Sequence, residues 1–246
     1  MSTLKTVATV AGVMAVGGAI AHVALRTPDP ALPPSPPVKP LLLPNDVVAL
    51  ETGSTNPTAP IVVTLHGIDG TEKQLVPYLT APLFRYVHLR GLKKSGKNYQ
   101  WFTARLSQSP ALAFIDDAKK ALEVLRPALA AVRAQRNPAE LWVAGYSQGG
   151  HLAWLLAEAG LVDRALVAAG ALPATYKPAQ AKKRTKIHVV SGIKDRAVPW
   201  RPAVETTLRN FQSAGYEASA ITVADAGHSL VTLGKYLNPG LSELVK

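Results

Sequence analysis

The chain has 246 residues, 48% of them hydrophobic and 17% charged, with no cysteine. That is enough for one domain with a sizeable core and excludes a wholly disordered or fibrous chain, while the absent thiol excludes disulfides, a cysteine nucleophile and Cys-ligated zinc or iron–sulfur sites. The 27 Lys and Arg exceed the 16 Asp and Glu by +11, but the excess is local: residues 73–115 and 177–201 carry +7 each and the remainder sums to −3.

The first stretch, Val7 to Leu25, carries no formal charge and lies between Lys5 and Arg26. A basic start, an apolar run to Val16, Gly17-Gly18 and Ala19-Ile20-Ala21 suit a signal peptide. The same stretch is just long enough to span a membrane, although Thr9, three glycines and His22 weaken it as a span. A buried amphipathic helix is disfavoured because no polar face recurs at helical period. Pro28 to Pro44 then holds eight prolines, which favour extended polyproline II and a semi-rigid spacer. A spacer serves a tether. The expectation is therefore residues 1–26 as a signal peptide or, preferentially, an uncleaved anchor, 27–44 as a Pro-rich linker, and 45–246 as one extracytoplasmic domain. The alternative is a secreted or periplasmic protein after cleavage.

Beyond the linker, short β-rich apolar runs alternate with helical patterns, which predicts a parallel sheet with helices on both faces. Strands are expected at Val47–Glu51, Ile61–Leu65, Tyr86–Leu89, Leu141–Ala144, Ala165–Ala169, Ile187–Val190 and Ala220–Val223. Helices are expected over Ala111–Arg136, with Pro127 as a kink or break, and over Gly149–Glu158, Pro202–Ala214 and Leu230–Tyr236; Gly91–Gln100 reads as a polar loop.

One motif carries chemistry. Leu141 to Ala144 runs into Gly145-Tyr146-Ser147-Gln148-Gly149-Gly150 and then an apolar helical run to Glu158. The order strand, G-x-S-x-G, helix is that of a nucleophile elbow, in which a tight turn lifts a serine above the sheet and glycines remove clashing side chains. A serine hydroxyl needs a general base, and the base an orienting acid, in the chain order Ser, acid, His. His228 follows the last expected strand in the Gly-bearing loop Asp225-Ala-Gly-His228, and is the candidate base. Asp195 follows Ile187–Val190 at the carboxyl end of its strand, where ligands and reacting groups gather in open α/β sheets. Asp225 is the fallback acid, and Asp163 precedes its strand and belongs at the opposite end. His188 lies in a strand run and reads as structural, His151 as packed or solvent-facing, and His22 and His88 have no triad role. The developing oxyanion would take the N–H of Gln148 and one from Leu65-His66-Gly67-Ile68, with Ile68 as donor. His66 has no acidic or histidine neighbours at ligand spacing, so it is expected to hold that loop by hydrogen bonds and not to bind metal.

Leu65-His66-Gly67, Trp101-Phe102, Gly145 to Gly150, the Gly192…Asp195…Val198-Pro199 block and Gly227-His228 run in one order across roughly residues 60 to 235. In these motifs the chain resembles the carboxylesterase/phospholipase and acyl-protein thioesterase family of α/β-hydrolases. The resemblance implies an α/β-hydrolase fold, and the short insertions of this chain leave only a minimal cap to be expected. The resemblance also implies a serine esterase without metal or organic cofactor, with Ser147, Asp195 and His228 as triad and Ile68 and Gln148 as oxyanion donors. Loop residues Trp101, Tyr146 and Trp200 are expected to line a shallow substrate cleft.

A thioesterase, or an amidase or peptidase, on the same triad stays open, as does a non-catalytic binding protein of this fold. Nucleic-acid binding is disfavoured because the bases lie in loops without a recognisable nucleic-acid-binding pattern. Arg90, Lys93, Lys94, Lys97, Lys194, Arg196 and Arg201 follow strands. They are therefore expected around the catalytic mouth, where they would attract an anionic small-molecule or lipid ester. Contact of the N-terminal segment with a membrane goes with the anchor.

Overall fold

The computed structural model describes residues 39–182 and 185–246, so the expected signal peptide or anchor and most of the expected linker lie outside the described residues. Among the described residues no helix is long and apolar enough to cross a membrane.

Among the described residues, ten strands and five α-helices follow in chain order: β1 Lys39–Leu43, β2 Val47–Gly53, β3 Ile61–Leu65, β4 Arg85–Leu89, β5 Lys93–Ser95, β6 Asn98–Gln100, α1 Ala111–Arg136, β7 Leu141–Tyr146, α2 Gln148–Glu158, β8 Arg164–Ala168, β9 Lys186–Gly192, α3 Glu205–Ser213, β10 Glu217–Val223, α4 Leu230–Leu233 and α5 Leu237–Val245. Eight strands form one sheet in the order β1-β2-β4-β3-β7-β8-β9-β10. From β4 to β10 neighbours are parallel, while β2 is antiparallel to both β1 and β4.

Side-chain alternation explains the layering. Ile61, Val63 and Leu65 of β3 and Leu141 and Val143 of β7 face one core with Phe114, Leu125, Leu152, Trp154, Leu208 and Phe211 of α1, α2 and α3. Val62, Trp142, Ala144 and Leu166 face the other, closed by Leu233 of α4 and Leu237, Leu241 and Leu244 of α5. Strands buried on both faces read as continuous apolar runs, which is why they were legible without alternation.

The expected linker 27–44 is corrected at its end. Lys39–Leu43 pairs with Val47–Glu51 as an edge strand, because Pro40 can sit where no inward N–H is needed. Pro127 neither breaks nor divides α1, which stays one helix because Leu125, Ala128, Leu129 and Val132 are buried on both sides of it. The expected polar loop Gly91–Gln100 contains a two-stranded hairpin, β5 against β6. Helix α5 adds to the expected elements, although Asn238-Pro239-Gly240 has the composition of a turn. Pro239 instead occupies the first turn of the helix, where a missing N–H costs nothing, and Gly240 lets α5 approach Leu166.

Candidate active site

The elbow is built from backbone crowding. A Cβ on Gly145 would stand 2.1 Å from the Gly149 carbonyl oxygen, and one on Gly149 would stand 2.1 Å from that of Leu65. Only glycine lets β7, α2 and β3 meet so closely. Between them Ser147 sits at φ 53° and ψ −113°, a strained conformation for a residue with a side chain, held by its N–H on Ala168 O and its C=O under the His151 N–H.

Two further loops at the same carboxyl end of the sheet converge on Ser147. Ile193 N–H donates to Val223 O and Lys194 N–H to Ala226 O, which ties the loop after β9 to the loop after β10. The result is a hydrogen-bonded chain. His228 Nε2 is 2.8 Å from Ser147 Oγ, and His228 Nδ1 is 2.7 Å from Asp195 Oδ2. Asp195 Oδ1 accepts the N–H groups of Ala197 and Val198 at 2.9 and 2.8 Å. The carboxylate can only accept from Nδ1, so the imidazole carries its proton there and leaves Nε2 to accept from the serine. Asp195 is buried, while His228 is partly open to solvent. Asp225, the fallback acid, instead pairs with Lys194 at 2.9 Å on the surface.

Gly67 places the loop after β3 against Ser147, since a Cβ there would meet Tyr146 Cδ1 at 2.9 Å and Ser147 Cβ at 3.3 Å. His66 holds this loop as expected. Its Nε2 accepts the Gly91 N–H at 2.8 Å, so Nδ1 carries the proton and donates to Gly67 O at 2.6 Å, and burial keeps the ring neutral by lowering its pKa. Among the described residues, no group of three His, Asp or Glu side chains is placed to hold a metal ion.

The three expected cleft residues divide. Trp101 is a correction: it is fully buried, its indole N–H donates to His66 O at 2.8 Å, and it has no surface to offer a substrate. An aromatic residue in a loop is no guide to exposure when the loop folds back over the core. Tyr146 lies on the His228 ring, centroids 5.4 Å apart and planes 29° apart, and donates from its hydroxyl to His228 O at 3.3 Å. Burial, then the charge of Asp195, pushes its pKa up to about 12. Trp200 is mostly buried but borders a groove of about 320 Å³ with Ile193, Pro199 and Arg201 beside the Asp195 loop. A cavity of about 360 Å³ between α1, α2, Ala179, Gln180, Lys182 and Thr185 lies at the opposite, amino end of the strands, away from Ser147.

Among the described residues, the remaining histidines His88, His151 and His188 are packed. His151 is buried, accepts the Ala171 N–H on Nδ1 and meets Phe114 edge-on, with its pKa lowered to about 4 by burial. The bases expected around the mouth are partly neutralised. Arg90 makes a two-pronged pair with Glu72, Lys93 reaches Asp117, Lys194 reaches Asp225 and Arg201 reaches Glu205. Lys94, Lys97 and Arg196 make no ion pair among the described residues.

A mostly parallel sheet sandwiched by helices, with a serine on a strained turn after its central strand, defines an α/β-hydrolase. The model of the dienelactone hydrolase family matches residues 104–235, more than half of the chain, and the chain belongs to that family. It is thus a hydrolase of an ester-cleaving family, within the superfamily expected from the sequence. No curated protein matches the chain by sequence. Among solved structures, the carboxylesterase from Mesorhizobium loti is 20% identical over 82% of this chain and 99% of that one, with a TM-score of 0.63. The Bacillus cereus carboxylesterase is 15% identical over 80% and 96%, at 0.66, and a phospholipase/carboxylesterase from Dyadobacter fermentans is 19% identical over 80% and 96%, at 0.64. At these identities the likeness is one of fold.

Proposed function

We propose that the protein is a serine esterase that cleaves carboxylic esters through an acyl-enzyme. Ser147 Oγ attacks the ester carbonyl while His228 Nε2 takes its proton, and Asp195 stabilises the imidazolium. The tetrahedral oxyanion lies between the N–H groups of Ile68 and Gln148. The intermediate collapses as His228 returns the proton to the departing alcohol. Water, giving its proton to His228, then attacks the acyl-serine, and the acid leaves as Ser147 regains its hydrogen. The observation that carries this reading is the unbroken contact from Ser147 Oγ to His228 at 2.8 Å and from His228 to Asp195 at 2.7 Å. Lys94, Lys97 and Arg196 favour an ester with an anionic group. The test is hydrolysis of p-nitrophenyl butyrate: Ser147→Ala loses it and is no longer labelled by a fluorophosphonate, whereas residual turnover at the parent rate would refute the reading.

A further inference from the structure

The elbow's glutamine has a second attachment that its backbone role does not require. Gln148 is almost wholly buried, yet both ends of its carboxamide are bonded to consecutive residues of one distant segment. Oε1 accepts the Trp101 N–H at 2.8 Å and Nε2 donates to Phe102 O at 2.7 Å. The indole of Trp101 then donates to His66 O at 2.8 Å, and the same carbonyl accepts the Gly149 N–H at 3.2 Å. Gly149 is bonded covalently to Gln148, so the ring closes: Gln148 side chain, Trp101, His66, Gly149, Gln148.

That ring joins the elbow to the loop after β3, the two segments that carry the N–H groups of Gln148 and Ile68. His66 is two residues before Ile68, and its ring pins the Gly67 carbonyl between them. A third tie runs from the β5–β6 hairpin, where Tyr99 N–H donates to Gly70 O at 3.0 Å and Ser95 donates to Asp69. His66, Trp101 and Gln148 are buried, so each bond acts in a low dielectric and none is replaced by water when lost. Two amide donors serve a tetrahedral oxyanion only if their spacing suits that geometry, and a shift on the order of 1 Å costs about 100-fold.

We propose that the Gln148 carboxamide and the Trp101 indole are positioning residues, which set the distance between the Ile68 and Gln148 N–H groups. This rests on the serine-esterase reading above. The Gln148 backbone N–H touches the oxyanion, while its side chain acts only through the loops it ties together.

The test uses the full chain and two substitutions that keep both N–H groups. Gln148→Met keeps side-chain length and loses both bonds, and Trp101→Phe keeps an aromatic ring and loses only the indole donor. With p-nitrophenyl butyrate, kcat falls about 10- to 100-fold in Gln148→Met and about fivefold in Trp101→Phe, while KM stays near the parent value. Affinity for a boronic acid, which forms a tetrahedral adduct with the serine, falls by the same factors. A change in KM alone, or unchanged kcat and boronate affinity beside a lowered Tm, overturns the proposal. If Gln148→Met fails to fold, Trp101→Phe decides by the same two readouts. Fluorophosphonate labelling of Ser147 in the parent separates the failures: without it the esterase reading falls, and with it unaffected variants remove the positioning role alone.

Discussion

Asp195 and His228, 33 residues apart in the chain, meet with Oδ2 2.7 Å from Nδ1, while the other carboxylate oxygen is held by the N–H groups of Ala197 and Val198. That second grip fixes what Asp195→Asn would do. The amide oxygen stays on the two N–H groups, so the NH₂ faces His228 and forces Nδ1 to accept. The ring proton moves to Nε2, and the serine loses its base. The expected loss in kcat is on the order of 10⁴ with KM little changed, read by steady-state kinetics beside an unchanged far-UV spectrum. A loss below tenfold would remove Asp195 from this role.

Tyr146 covers one face of His228 and also abuts Gly67. Tyr146→Phe keeps the ring and gives up a 3.3 Å hydrogen bond, so kcat falls about fivefold or less. Tyr146→Ala removes the surface that holds the imidazole and is expected to cost clearly more, with the two variants ranked by kcat under saturating substrate. Equal effects would mean that the hydroxyl, not the ring, matters.

Gly149→Ala puts a methyl 2.1 Å from Leu65 O and 2.7 Å from His66 O, both backbone atoms that cannot swing aside. We expect a stability loss of at least about 3 kcal/mol in urea unfolding. Gly227→Ala is the contrast: its nearest neighbour would be Lys194 O at 3.6 Å, an ordinary contact, and it should cost less than about 1 kcal/mol. Similar losses at both sites would contradict the packing argument.

His88 sits in the sheet between two threonines, Nε2 to Thr52 Oγ1 at 2.9 Å and Nδ1 to Thr64 Oγ1 at 2.8 Å. Burial lowers its pKa to about 3. Above about pH 6.5 it is neutral folded and unfolded. As pH falls towards 3 the unfolded chain binds a proton that the fold refuses, so stability declines by up to about 1.4 kcal/mol per pH unit from this residue. His66, His151 and His188, also depressed by burial, act with the same sign. Urea unfolding at pH 7, 6 and 5 should show the decline before carboxylates titrate, and His88→Gln should flatten it. A slope unaltered by that substitution would place the proton uptake elsewhere.

Replacing Lys94, Lys97 and Arg196 by Gln is expected to lower kcat/KM for an anionic ester at low salt, leave a neutral ester of equal chain length unaffected, and lose its effect near 1 M salt. Equal changes for both esters would assign these cations to solubility.

The local parts of the site are legible in the chain itself. Strand, Gly145-x-Ser147-x-Gly149 and helix follow from neighbouring residues, because a strained turn of this kind has a short-range signature. The places of Asp195 and His228 follow from the rule that loops after parallel strands share one edge. The tertiary structure alone decided whatever depends on residues far apart. Pro40 could join a strand because β2 offered an edge, and Trp101 turned inward because His66 O and Gln148 Oε1 needed its two N–H groups. Likewise, four of the seven cations assigned to the mouth found carboxylates, including Glu72 for Arg90 and Asp117 for Lys93. Counting charge along a chain measures their number; how much field remains depends on which partners folding brings within about 4 Å.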